Sequence, residues 1–120
     1  MKIEDFERLV QEAWSSLPLL FKKKLNNIAI IVEEEPGEEE RKMFGGRGKI
    51  LGYYRGVPYK YRGVGYANVP PDAVVIFKNC IEEVCENEKE IKDKVREVLL
   101  HEIGHYFGFS EEDLRRLGCG

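Results

Sequence analysis

Apolar side chains recur at Ile3, Phe6, Val10, Ala13, Trp14 and Leu17, in steps of three and four. That spacing is the stripe of an amphipathic helix over residues 3–17. Ser15, Ser16 and Pro18 break the period, and a proline there suits the first turn of a new helix. A second short helix is therefore expected through Phe21 and Leu25, ending at Asn26-Asn27. The pattern then changes. Residues 28–32 form a β-branched run with one alanine, bounded by Asn-Asn and by Glu33-Glu34-Glu35-Pro36-Gly37. This predicts a strand buried on both faces. Residues 33–41, rich in glutamate with one proline and one glycine, read as a solvated, mobile loop, with an acidic ligand site as the lesser reading.

Glycines then crowd between Gly45 and Gly65, interleaved with Tyr53, Tyr54, Tyr59 and Tyr61. Residues 50–62 look like two strands with a turn near Gly56-Val57-Pro58. Gly45-Gly46-Arg47-Gly48-Lys49 resembles a phosphate-binding loop only superficially, a minor reading, because no Ser or Thr follows the lysine and no apolar strand precedes it. Pro70-Pro71-Asp72 leads into another strand over residues 73–77. After a short mixed stretch at 80–84, one long helix is expected from Glu88 to Phe107, and a last short helix over 111–117. No internal repeat is visible.

A length of 120 residues sets a single domain over residues 1–120 as the expectation. The formal charge of −3 gives no general attraction to phosphate backbones, which argues against nucleic acid as a partner. The longest aliphatic run is five residues, far short of the ~20 that cross a bilayer, so no membrane partner is expected. The first ten residues alternate charged and apolar side chains without a signal-peptide core, and the expected location is the cytoplasm. Three cysteines, Cys80, Cys85 and Cys119, make a disulfide framework a poor reading.

The long helix holds the candidate chemistry. Its first half, with Lys92, Asp93, Lys94, Arg96 and Glu97 around Ile91 and Val95, is a surface helix. In its second half, from Val98, apolar residues run all the way round, which predicts burial. The ionisable groups there, apart from the Tyr106 phenol, are His101, Glu102 and His105, which share an arc of roughly 100°. Burying three such groups is costly unless they are paired or bind a cation. Two imidazoles one turn apart present nitrogens to one point, as zinc requires, and Glu102 stands beside that point as a general base. This is the HExxH arrangement. With 2 histidines and 18 glutamates in the chain, chance produces it in roughly 1 case in 400, too rarely to set the motif aside.

A catalytic zinc site takes a third protein ligand and leaves a position for water. Gly108 can end the helix and turn the chain back. Glu111 then follows, completing the pattern HExxHxxGxxE. Glu112, Asp113, Cys119 or a water are the alternatives.

HExxH followed by xxG and a ligand is similar to the metzincin pattern, with Glu111 in place of a third histidine. More closely, the chain resembles the small bacterial zincin-like metallopeptidases. The resemblance rests on Leu51-Gly52-Tyr53-Tyr54-Arg55-Gly56-Val57-Pro58, Arg62, the strand after Pro71, His101 to Gly108, the acidic residue at 111, Leu114 and Leu117-Gly118. It implies an α+β, compact zincin-like fold, a small mixed β-sheet packed against helices, with the active-site helix near the C-terminus. It also implies zinc peptidase activity. The only methionines, Met1 and Met43, precede the helix, so no Met-turn follows it, and with fifteen residues after His105 to build a lower wall a shallow site is expected.

The expected chemistry is hydrolysis of peptide bonds in a peptide or unfolded protein. One zinc ion on His101, His105 and Glu111 activates water, and Glu102 moves the proton. Tyr53, Tyr54 or Arg62 is a candidate contact for the substrate or its oxyanion, although tyrosines in strands more often pack. Two rival readings stand beside this one. A catalytically silent metal-binding or protein-interaction domain keeps the metal without the reaction. A structural Cys2His2-type zinc site would use Cys80, Cys85, His101 and His105, spaced C-x4-C-x15-H-x3-H.

Overall fold

The computed structural model describes residues 1–19, 22, 28–43, 50–56, 72–106 and 111–116, with the helical backbone alone at 105, 106, 111, 113 and 114. In chain order these form helix α1 (Ile3–Ser15), strand β1 (Ile28–Glu33), helix α2 (Glu38–Met43), strand β2 (Gly52–Gly56), strand β3 (Asp72–Phe77), and helices α3 (Lys78–Val84), α4 (Glu88–Tyr106) and α5 (Glu111–Arg116). The architecture is α+β. β3 lies between its neighbours, parallel to β1 and antiparallel to β2, in a mixed sheet of order β1-β3-β2.

The core follows from the two periods of the sequence. α1 buries Phe6, Leu9, Val10 and Ala13, the stripe expected from its spacing plus Leu9. α4 buries Ile91, Val95, Leu99, Leu100 and Ile103. Both helices pack on the sheet face formed by Val74 and Ile76 of β3, with Ile28, Ile30 and Val32 of β1 and Tyr54 of β2 at its margins. Alternation along the strands sends Tyr53, Val75 and Phe77 to the other face, where Ile31, Ile50 and Cys80 join them. Tyr53 and Phe77 stack there with ring centroids 6.0 Å apart.

Helix α4 starts where its polar flank can cap it. Asn87 Oδ1 accepts the Glu90 N–H at 2.9 Å, and the Glu90 carboxylate reaches back to the Glu86 N–H at 3.4 Å. This reciprocal arrangement satisfies donors that the first turn leaves unpaired. Exposed polar links tie α4 to α1, including Arg96 Nε to Ser16 Oγ at 3.2 Å and Arg8 to Glu88 at 3.6 Å. Such surface contacts add little, and burial of the facing apolar stripes holds the pair together. Lys78, 6 % exposed, is paired with Glu82 at 3.0 Å.

Two expectations are corrected. Residues 28–33 form a strand, but every one of them is only half-buried, because β1 is an outer strand of the described sheet. The fully buried strand is β3, flanked on both sides. Residues 38–43, expected as loop, are the helix α2. Its glutamates lie in the first turn and Arg41 and Lys42 in the last, which suits the helix dipole. Gly37 N–H donates to Glu40 Oε1 at 2.8 Å as a cap, and Lys42 lies 3.6 Å from Glu38 one turn away.

Of the helix expected through Phe21 and Leu25, Leu19 and Lys22 are described and helical, with Lys22 N–H bonded to the Pro18 carbonyl at 3.2 Å. Phe21, Leu25, the second strand of residues 50–62 with Tyr59 and Tyr61, and the turn at Gly108 lie outside the described residues.

Gly52 sets the distance between β2 and α4. A Cβ at that position would stand 2.6 Å from the Val75 carbonyl oxygen and 3.0 Å from Val98 Cγ1. Backbone must move before any side chain fits. Gly52→Ala is expected to destabilise the fold by about 1–3 kcal/mol, read as a lower urea midpoint at unchanged slope. Gly37→Ala, whose Cβ would meet only the end of the Glu40 side chain at 3.5 Å, serves as the control for general glycine effects.

Candidate functional site

Three successive layers of α4 explain why its polar residues stand where they do. Leu99 and Leu100 are fully buried, His101 and Glu102 are half-buried, and Ile103 and Gly104 are buried again. The apolar residues press the helix into the core, and the angular step of 100° carries the two polar side chains to its margin. Glu102 emerges there into a cleft of about 890 Å³. Tyr53, Tyr54, Arg55 and Gly56 of β2, Glu33 at the end of β1, and Gly37, Glu38, Glu39, Glu40 and Met43 in and before α2 form the remaining lining.

His105 lies one helical turn after His101 on α4. Glu111 is the first residue of α5, which touches α4. The side chains of His105 and Glu111 lie outside the described residues, as do Arg62 and Cys119. Among the described residues, no three side chains of the metal-ligating types converge. Glu112, an alternative third ligand, is exposed and paired with Arg116 at 2.9 Å.

The described cysteines do not support a Cys2His2 site. Cys80 packs with Tyr53, Val75 and Phe77, whereas Cys85 packs with the main core on the other side of the sheet. Cys80, Cys85 and His101 form no common cluster. Burial, with a smaller contribution from Glu90, pushes the Cys85 thiol above its ordinary pKa, which suits a packing residue rather than a thiolate ligand.

The two tyrosines on β2 differ in role because the pleat turns them to opposite faces. Tyr53 is 9 % exposed and stacked on Phe77, and its phenol donates a hydrogen bond to the Glu40 carboxylate. Burial, that hydrogen bond and the Glu40 charge push its pKa up to about 12, against a smaller lowering by Arg55. Tyr54 packs against the main core and shares the cleft with Glu102. Both tyrosines line the cleft, and the glutamate run, for which an acidic ligand site was the lesser expectation beside a mobile loop, supplies its acidic wall through Glu33 and Glu38–Glu40. The signal for a helix was present in that run, whose spacing of Glu38 to Lys42 fits one helical turn.

The profile of a family described as zincin-like metallopeptidase matches residues 25–120. No curated protein matches the chain. Among solved structures, a conserved hypothetical protein from Thermus thermophilus superposes with a TM-score of 0.59 at 24 % identity. That match covers 88 % of this chain and 94 % of the other and shows a shared fold.

The raised Tyr53 pKa predicts alkaline behaviour. The folded chain keeps the phenol proton up to about pH 12, while an unfolded chain releases it near 10.0. The stability that Tyr53 contributes is therefore whole below pH 10 and is lost as pH rises towards 12. Urea unfolding across that window should show the decline for the native chain and a shallower one for Tyr53→Phe.

Proposed function

Because the chain belongs to the zincin-like metallopeptidase family, we propose that it hydrolyses peptide bonds, with zinc held by His101, His105 and Glu111 and with Glu102 as general base. The observation that carries this reading is that Glu102 lines a cleft large enough for several residues of a peptide, directly after His101 on the same helix. The donor set suits the ion in kind. Two imidazoles at i and i+4 with one carboxylate are ligands that zinc takes at catalytic centres. Bound there, zinc supplies Lewis-acid polarisation of a carbonyl and makes a water molecule acidic near neutral pH.

The remaining work falls to the chain. Glu102 takes the proton from the attacking water and returns it to the departing amine. Tyr54, from β2 across the same cleft and with its hydroxyl shielded from solvent, is the donor we assign to the developing oxyanion. Half-burial of His101 and Glu102 lowers the local dielectric and strengthens each of these interactions. The described lining carries Glu33, Glu38, Glu39, Glu40 and Glu102 against Arg55. Its field favours peptides with lysine or arginine near the scissile bond.

The test is zinc content followed by digestion of a broad peptide library. One zinc per chain and cleavage are expected. Glu102→Gln should retain the metal and lose at least about a hundredfold in kcat/KM, while His101→Ala should lose the metal. Full zinc loading of the native protein with no cleavage of any library would replace this reading by a silent metal-binding domain.

Charge selection makes a separate prediction. Lysine- and arginine-containing peptides should be cleaved faster than their glutamate counterparts. That preference should shrink as salt is raised from about 0.02 M to about 0.5 M, because screening collapses the field of exposed carboxylates. A preference that ignores salt would remove the acidic wall as its cause.

A further inference from the structure

Among the described residues, helix α2 is not seated by any buried side chain of its own. It buries no residue, and of its six positions only Glu40 is even half-buried. Six residues are also far too few for a helix to persist by its own hydrogen bonds. The apolar stripes that seat α1 and α4 are missing, so its position depends on polar ties. Most of these are internal to the segment. Gly37 N–H donates to Glu40 Oε1 at 2.8 Å, Lys42 lies 3.6 Å from Glu38, and Arg41 lies 3.8 Å from Glu35. They hold the segment together, and its N-terminal flank is tied just past the end of β3, where Asn79 Nδ2 donates to Glu35 Oε1 at 3.1 Å. Among the described residues, the tie from α2 itself to a strand is the Tyr53 phenol on Glu40. Its sheet end is firm, since the Tyr53 ring is buried and lies nearly parallel to Phe77, at 22°. Glu38, Glu39, Glu40 and Met43 of this helix all line the cleft that Glu102 enters.

We propose that Tyr53 and Glu40 are a positioning pair, whose phenol–carboxylate hydrogen bond sets α2 as a wall of the substrate cleft. Glu40 bridges the two ends of the arrangement, capping the helix through Gly37 and anchoring it through Tyr53. Pro36-Gly37 precedes α2 and is where the helix swings when the tie is broken. The pair touches no reacting atom. It acts by fixing the helix that carries Glu38, Glu39 and Met43, and thereby the width of the cleft. The catalytic consequence rests on the peptidase reading above, whereas the structural one does not.

Tyr53→Phe keeps the ring and its stack on Phe77 and removes only the hydroxyl. Amide hydrogen exchange in residues 38–43, and trypsin cleavage after Arg41 and Lys42, should accelerate roughly tenfold, the loss expected for one hydrogen bond to a charged group. Exchange in β3, which opens with the whole fold, should accelerate no more than exchange in α2. Glu40→Ala should loosen α2 at least as much, Tyr53→Phe added to it should bring no further acceleration, and Glu40→Gln should restore most of the protection. With a cleaved peptide in hand, Tyr53→Phe should raise KM severalfold and leave kcat within about twofold. Unchanged exchange in α2, or further acceleration when Tyr53→Phe is added to Glu40→Ala, overturns the proposal whether or not the chain is a peptidase. An active enzyme whose KM stays constant while α2 loosens overturns the link to substrate.

Discussion

The seating of α4 on the sheet is the contact on which the rest of the molecule depends. Leu99, Leu100 and Ile103 lose all contact with water in it, and each such burial favours the fold by roughly 2 kcal/mol before entropy is counted. The same contact fixes the rotation of the helix about its axis. Once those three side chains point into the core, His101 and Glu102 are carried to the half-buried margin of the helix, where Glu102 lines the cleft. Val98 and Gly52 set how near the helix comes to β2, with no room for a side chain between them. Stability and chemistry are thus coupled through one surface: what holds the helix down also aims its polar residues.

The cleft itself combines a rigid side with a lightly held one. Glu102 belongs to the rigid side, on a helix capped at Asn87 and packed along much of its length. Tyr53 and Tyr54 stand next to each other in sequence yet do different things. The pleat places Tyr53 against Phe77, where its phenol serves α2, and leaves Tyr54 on the face toward α4. The other side, α2, is charged, exposed and held by hydrogen bonds. Loosely held elements at binding clefts are drawn from the least stable parts of a fold, because admitting a ligand requires them to move.

Membership of the zincin-like metallopeptidase family and the match to the Thermus structure bear on different levels. The structural match, at 24 % identity, speaks for the shape of the chain. Chemistry is argued from the residues, since a fold by itself does not specify a reaction. The cysteines illustrate the distinction. Their spacing from the histidines reads as a finger motif, but Cys80 and Cys85 pack into different clusters.

The sequence by itself determined the elements whose hydrophobic period is long and regular. α1 and α4 lie where their stripes of three and four place them, and α4 begins at Glu88, as its charged first half required. It also determined that His101 and Glu102 occupy one arc of a buried helix, because that geometry is local and repeats every 3.6 residues. Pairing decided the rest. A short aliphatic run looks the same at the centre of a sheet and at its margin, so only the order β1-β3-β2 made residues 28–33 an outer strand and Asp72–Phe77 the buried one. The glutamate run became a helix through a cap at Gly37 and a partner, Tyr53, thirteen residues beyond Glu40, a contact that no helical or strand period predicts. Tertiary structure alone brought that wall to the cleft beside Glu102, because contacts between segments distant in sequence depend on how the chain returns on itself.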